Sequence, residues 1–291
     1  MMWKRVATGA ALIPIVVAIV LWTATAWVAL LVALVILLAL FEYFSLGDAI
    51  GHRGYRFWTA ACALLMIYLR WAETREPTYQ LSGALTLRHE VLPLGLESNN
   101  VPAVFFLFVL GVAVLTLLTK RPLVEALPAA GISSSGLLLV AFPLTFAVRL
   151  HGVERIGPRL LLFVLVIVWV GDTIAYFVGR TVGKHLLTPH LSPNKTWEGT
   201  ITSLGGSLLA GVLMARWLDL PMPHLLGMAG VGNIAGQMGD LLESAYKRSA
   251  GVKDSGALLP GHGGMLDRVD ALILAIPVVW YYWALVHSPG R

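Results

Sequence analysis

Nine stretches of this sequence are apolar over nearly the length needed to cross a bilayer. A spanning helix requires about 20 predominantly apolar residues. The candidates are residues 6–22, 24–44, 57–70, 101–119, 135–150, 159–179, 200–218, 223–243 and 268–287. Composition agrees: the chain is 57% hydrophobic and only 13% charged, with a mean hydropathy of +0.77, whereas a soluble domain carries about 25% charged residues. The expected fold class is all-α, a polytopic integral membrane protein with about nine transmembrane helices. A soluble doubly wound enzyme, a DNA-binding module and a disordered scaffold are excluded. The net charge of +5 is scattered among apolar runs, so its first use is orientation in the membrane rather than nucleic-acid binding. Cys62 is the single cysteine, which rules out an intrachain disulfide and a CxxC metal site.

The first two runs are separated by only a few residues, which predicts a tight helical hairpin near Thr23 to Ala26. Met1 to Arg5 form a basic start with no convincing A-x-A cleavage site before the next apolar run, so a retained first helix is expected. The polar stretch 71–100 reads as an external loop with a short interfacial helix. An inside N-terminus puts thirteen of the 21 lysines and arginines on the cytoplasmic side, among them Arg180, Lys184, Lys195, Lys247, Arg248, Lys253 and Arg268. Loops 180–199 and 244–267 then face the cytoplasm.

The acidic residues are unevenly spread. Six of the seven aspartates lie between residues 172 and 270, and the first 171 residues hold only Asp48. A carboxylate inside a membrane helix costs about 2.5–3.5 kcal/mol unless it meets water or a partner. Residues 1–170 therefore read as scaffold and 171–291 as the working region. In the eighth run Asn233, Gln237, Asp240, Ser244 and Lys247 fall on one helical stripe. That stripe suits the wall of a hydrophilic cavity; the alternative is a polar seam between packed helices. Asp172, Tyr176 and Arg180 form a smaller stripe, either functional or an internal Asp–Arg pair.

Residues 244–270 concentrate the chemistry. Lys247, Arg248 and Lys253 suit a polyphosphate. Gly263 and Gly264 allow close backbone approach to a ligand, and His262 can donate to an anion. Asp267 and Asp270 share a helix face, as expected of a Mg²⁺ site that also uses water and substrate phosphates. The alternative is N-terminal helix capping. In the loop Ser192 to Gly199, Lys195 can meet a phosphate, Trp197 can stack on a base or sit at headgroup level, and Glu198 can bind a metal or pair with Lys195. A metal-dependent polyphosphate site opening into the bilayer suits a substrate with a phosphate head and lipid tails.

At these residues the chain resembles the phosphatidate cytidylyltransferase (CDP-diacylglycerol synthase) family. The resemblance rests on Ser244, Lys247-Arg248, Lys253-Asp254, His262-Gly263-Gly264 and Asp267-Arg268-Val269-Asp270, joined by Gly171-Asp172-Thr173 and Ser192 to Gly199. Tyr246 departs from the aliphatic residue usual in the family. The resemblance is sharp over about 171–270 and only topological before it. It implies that CTP and phosphatidate give CDP-diacylglycerol and pyrophosphate with Mg²⁺, and that a second cation can take part. It further implies a homodimer in the inner membrane, with a polar cavity open to cytoplasm and lipid. In that scheme Asp267 and Asp270 hold the metal, with Asp240 or Asp254 supporting and Asp172 ligating a metal or ordering a cation. Lys247, Arg248, Lys253 and Arg268 neutralise pyrophosphate or seat the lipid phosphate, Ser244 adds an oxygen, and Lys195 reaches in from the other loop. The rival readings are a secondary transporter, another CTP-using lipid enzyme such as a CDP-archaeol synthase or polyprenol kinase, and a structural membrane protein.

Overall fold

The computed structural model describes residues 2–75, 101–256 and 263–287, with side chains from residue 12 onward. Among them the chain is almost entirely helical. The helices are α1 (Met2–Trp22), α2 (Thr25–Ala49), α3 (Arg56–Glu73), α4 (Val101–Leu118), α5 (Ala126–Ser135), α6 (Phe142–His151), α7 (Gly157–Val182), α8 (Trp197–Leu218), α9 (Met222–Ser249) and α10 (Leu266–Val286). Six segments are long and apolar enough to cross a membrane: α2, α4, the continuous stretch Leu123–His151, α7, α8 and α10. The molecule is a multi-pass membrane protein. The tight connection expected near Thr23 to Ala26 is present, with only Thr23 and Ala24 between α1 and α2. The expected interfacial helix within 71–100 falls mostly on residues outside the described ones.

The stretch from Leu123 to His151 is one span built from two helices. Between α5 and α6 the backbone widens into a π-helical segment, Gly136–Ala141. The cause lies just beyond it. Pro143 has no N–H, and its ring would press on the carbonyl four residues back, so the ladder loosens there. Upstream, Ser133 accepts a hydrogen bond from the Tyr55 N–H at 2.7 Å and Ser135 meets the Tyr43 hydroxyl at 2.6 Å. Downstream, Phe146 packs edge-on to Phe142 and close to Tyr281.

The apolar core sits among α2, α3, α6 and α7, where Ile36, Ala39, Ala63, Met66, Val148, Phe163 and Val164 are fully buried. Helices α7 to α10 pack beside it through small residues rather than bulky ones. Buried Gly232, Gly236 and Gly239 of α9 let neighbouring backbones approach. A methyl group on Gly239 would strike the carbonyl of Asp270 on α10.

Polar side chains fasten α8 to α9. The Asn233 amide donates to Ser203 Oγ at 2.9 Å and to Ser207 Oγ at 2.8 Å, while its oxygen accepts from Gln237 Nε2 at 2.6 Å. The Ser207 hydroxyl continues to the carbonyl of Ile167 on α7. Asn233 is only 3% exposed. The lower part of the expected hydrophilic stripe is thus a three-helix seam. Asn233→Ala would leave both serines without this donor. It should lower stability by about 1–2 kcal/mol, the upper range for such membrane hydrogen bonds, as measured by thermal unfolding in detergent.

Candidate active site

Two polar connections meet at one end of the bundle. The first, between α7 and α8, folds into a two-stranded antiparallel ribbon, β1 (Leu186–Thr188) and β2 (Ser192–Thr196). The sequence reads residues 192–199 as a loop before the next helix and offers no strand there, because a five-residue strand carrying Pro193 and Lys195 gives no apolar alternation. Thr196 ends the ribbon and caps α8, its hydroxyl accepting from the Gly199 N–H at 3.2 Å. The second connection, from Ala250 to Met265, joins α9 to α10. At 28 residues, α9 is about 42 Å long, well beyond the roughly 30 Å hydrocarbon core. Its last turn carries Lys247 and Arg248.

A cavity of about 770 Å³ lies between these parts. Asp172, Tyr176 and Arg180 of α7 line it, with Asn194 and Lys195 of the ribbon, Thr200 and Ser203 of α8, Gln237 and Asp240 of α9, and Asp267 and Asp270 of α10. Four carboxylates from three helices thus face one space. Lys195 Nζ lies 2.5 Å from Asp240 Oδ2, joining ribbon to helix. Glu198 does not pair with Lys195; it accepts from His185 Nδ1 at 2.7 Å. Arg180 donates to the Tyr176 hydroxyl at 2.9 Å, so the α7 stripe is not an Asp–Arg pair. Asp172 has no hydrogen-bond partner among the described residues.

The two aspartates expected to act as a metal pair differ in environment. Asp267 commits both oxygens to the protein. Its Oδ1 accepts from Lys247 Nζ at 2.6 Å, and its Oδ2 accepts from the N–H groups of Ser255 (3.0 Å) and Gly264 (2.8 Å). Among the described residues Asp270 accepts only from the adjacent Ala271 N–H, at 2.7 Å through Oδ1. Asp172, Asp240 and Asp270 are therefore the carboxylates best placed toward a cation. Among the described residues no three acidic, histidine or cysteine side chains form a ready-made metal cluster. Magnesium takes one or two protein carboxylates and completes its shell with water and substrate phosphates, and Asp240 and Asp270 at the cavity wall match that donor chemistry.

Several other expected residues lie away from the cavity wall. Lys247 is clamped between Asp267 and Glu243 Oε2, the latter at 2.5 Å. Arg248 donates to the carbonyls of Leu191 and Val252, tying the end of α9 to the ribbon. Asn233 is in the seam. Lys253, Asp254 and Arg268 are exposed, and Ser244 is half-buried; none of these four borders the cavity. Gly263 adopts φ +75°, the left-handed region that favours glycine. Gly264 packs so closely on Ser255 and Glu42 that a Cβ would collide with both. His262 lies outside the described residues.

Sequence reasoning missed Glu42. It belongs to α2, in the half read as scaffold, yet it is only 5% exposed and reaches the start of α10. Its oxygens accept from the N–H groups of Met265 and Leu266, both at 2.8 Å, and from the Ser255 hydroxyl at 2.9 Å. These N–H groups belong to the unsatisfied donors of a helix start, where negative charge is favoured. The available signal was an acidic residue inside a long apolar run. Glu243, 3% exposed, was missed as well, because it falls beside the stripe rather than on it.

The fold and site define a membrane protein with a polar, acid-lined cavity at one end of a helical bundle. The sequence model of the cytidylyltransferase family matches residues 3–286, and the chain belongs to that family. It is similar to the phosphatidate cytidylyltransferase of Brucella abortus, at 36% identity over 248 residues, covering 82% of this chain and 88% of that protein. Over 125 residues it is 48% identical to the phosphatidate cytidylyltransferase of Staphylococcus epidermidis, covering 42% of this chain and 48% of that protein. For Staphylococcus aureus the identity is 46% with the same coverage.

Two substitutions check the clamps. Lys247→Met leaves Glu243 and Asp267 facing each other without a cation; it should destabilise the fold by about 3–5 kcal/mol, seen in unfolding. Glu42→Gln turns an amide group toward a backbone N–H. It should loosen the α9–α10 connection by about 1.5–3 kcal/mol, read as faster limited proteolysis between residues 250 and 265.

Proposed function

We propose that this family member is a phosphatidate cytidylyltransferase, transferring CMP from CTP to phosphatidate to give CDP-diacylglycerol and pyrophosphate. The observation that carries the reading is the convergence of Asp172, Asp240, Asp270 and Lys195 on one cavity, in a chain whose relatives bear that name. A secondary transporter would also use membrane-embedded charges, but here six of the seven aspartates gather between residues 172 and 270 and the two halves of the chain show no similarity to each other.

A phosphatidate oxygen attacks the α-phosphorus of CTP. The bond from that phosphorus to the bridging oxygen breaks, and pyrophosphate leaves with the electron pair. The lipid phosphate is already ionised, so little base assistance is needed. The main demand is to bring two polyanions together, met by positioning and charge compensation. Asp240 and Asp270, with Asp172 nearby, would hold Mg²⁺, which supplies charge neutralisation to the triphosphate. Lys195 offers its ammonium to a phosphate at the cavity wall, with Asp240 fixing its position. Asp267 acts through the protein: it orders Lys247, Ser255 and Gly264 and so sets the start of α10 beneath the cavity. Exposed apolar Phe177 and Ile201, at 61% and 64%, lie on α7 and α8, two of the helices that line the cavity. They support entry of a lipid-tailed substrate from the side.

The wider scheme is nine spans, the six long apolar segments plus α1, α3 and α9, with the N-terminus and the cavity on the cytoplasmic side of the inner membrane. Residues 1–170 form the scaffold, residues 171–291 carry the chemistry, and the protein acts as a homodimer. Pyrophosphate release by the detergent-purified protein should require both CTP and phosphatidate and stop with EDTA. Asp270→Asn should abolish turnover while leaving the unfolding temperature near that of the parent. A rate kept within about tenfold, or 1.4 kcal/mol of barrier, would overturn the metal assignment.

A further inference from the structure

A second cavity, of about 750 Å³, lies away from the one described above and shares no lining residue with it. It is formed by the end of α2, the α2–α3 connection, α3, and the end of α4 with Arg121 just beyond. Three guanidinium groups meet there from separate segments: Arg53, Arg56 and Arg121. The single carboxylate in the lining, Asp48, is paired with Arg56. Arg121 donates to the Arg53 carbonyl at 2.6 Å and lies over the Tyr55 ring at 5.5 Å. The Arg53 backbone is thereby fixed, while its guanidinium has no hydrogen bond or ion pair among the described residues. The remaining wall is aromatic and apolar. Trp58 is anchored by its Nε1 donating to the Phe108 carbonyl at 3.1 Å, and Tyr55 by its hydroxyl on Thr116 at 2.9 Å. Phe57 is 91% exposed.

The position along the bundle matters as much as the composition. Glu42 of α2 holds the start of α10, at the level of the first cavity. Asp48 is six residues further along the same helix, about 9 Å by the helical rise. Both cavities therefore open at the same end of the bundle, where apolar helices give way to polar connections. Arginine binds two phosphate oxygens at once, and basic clusters next to membrane helices attract anionic headgroups. A soluble anion would use the guanidinium groups and leave Phe57 and Trp58 without a role.

We propose that this second cavity binds an anionic glycerophospholipid, with its headgroup phosphate on Arg53 and Arg121 and an acyl chain along Phe57, Trp58 and Leu115. The site is separate from catalysis, and its test requires no turnover.

The test is native mass spectrometry of the full-length protein in detergent, titrated with phosphatidylglycerol or with phosphatidylcholine. Arg53→Gln and Arg53→Lys are compared with the parent, with CTP binding measured alongside as a check on the fold. The parent should retain one phosphatidylglycerol per chain more than Arg53→Gln. The variant's affinity should be weaker by about tenfold, the scale of one lost charge-assisted hydrogen bond. Arg53→Lys should recover part of the binding, phosphatidylcholine should show no difference, and CTP binding should be unchanged. Equal phosphatidylglycerol affinity in parent and Arg53→Gln would overturn the proposal. Displacement of the lipid by millimolar inorganic phosphate would also overturn it, by assigning the cavity to free phosphate.

Discussion

The arrangement of the working end depends on carboxylates that cannot be left alone in a membrane protein. Glu42, Glu243 and Asp267 are each placed where charge is costly; among the described residues Glu42 and Asp267 are answered by hydrogen bonds and Glu243 by a nearby ammonium alone. Glu42 meets two backbone N–H groups and a hydroxyl, Asp267 meets two N–H groups and an ammonium, and Glu243 shares that ammonium. Because the donors come from the start of α10 and from the preceding connection, the same bonds that stabilise the charges also fix the backbone. The two described ends of that connection, at Ser255 and at Gly264 to Leu266, are held from α2 and by Asp267 of α10, which Lys247 of α9 meets in turn. The cavity inherits its shape from this clamp.

Two kinds of charge thus coexist within one short segment. Asp267 and Asp270 are separated by less than one helical turn, and spacing alone makes them equivalent. The hydrogen-bond inventory separates them, since one is saturated by protein donors and the other is left toward the cavity. Lys247 and Lys195 divide in the same way. The first is enclosed by two acids, and the second stands on a ribbon at the cavity wall. Residues that form one motif in the sequence therefore sit in two different environments in the fold, one enclosed by protein partners and one at the cavity wall.

The architecture was legible because membrane insertion writes itself into composition. The apolar runs locate most helices to within a few residues, although the fifth span starts at Leu123 rather than near residue 135 and α2 and α9 run five or six residues past their expected ends. The short α1–α2 connection follows from spacing, and four of the six clustered aspartates line the cavity. The ribbon at 186–196 was not legible, since short polar strands have no hydrophobic period. Nor were the partners of each charge. Helical periodicity placed Asn233 and Asp240 on one stripe, yet only three-dimensional packing shows that Asn233 is consumed by Ser203 and Ser207 while Asp240 faces the cavity. Glu42 was hidden by distance: more than two hundred residues separate it from the backbone groups it holds, and no local pattern carries that information.

The widened turn at Gly136–Ala141 has a consequence for the span that contains it. An extra residue in a helical turn rotates everything after it by roughly 100°. The α5 half thus presents its serines to Tyr43 and Tyr55, while the α6 half turns Phe146 toward α10. One crossing of the bilayer behaves as two rods spliced out of phase. Each half answers to a different neighbour, so the pattern of tolerated substitutions should lose its register midway along the membrane.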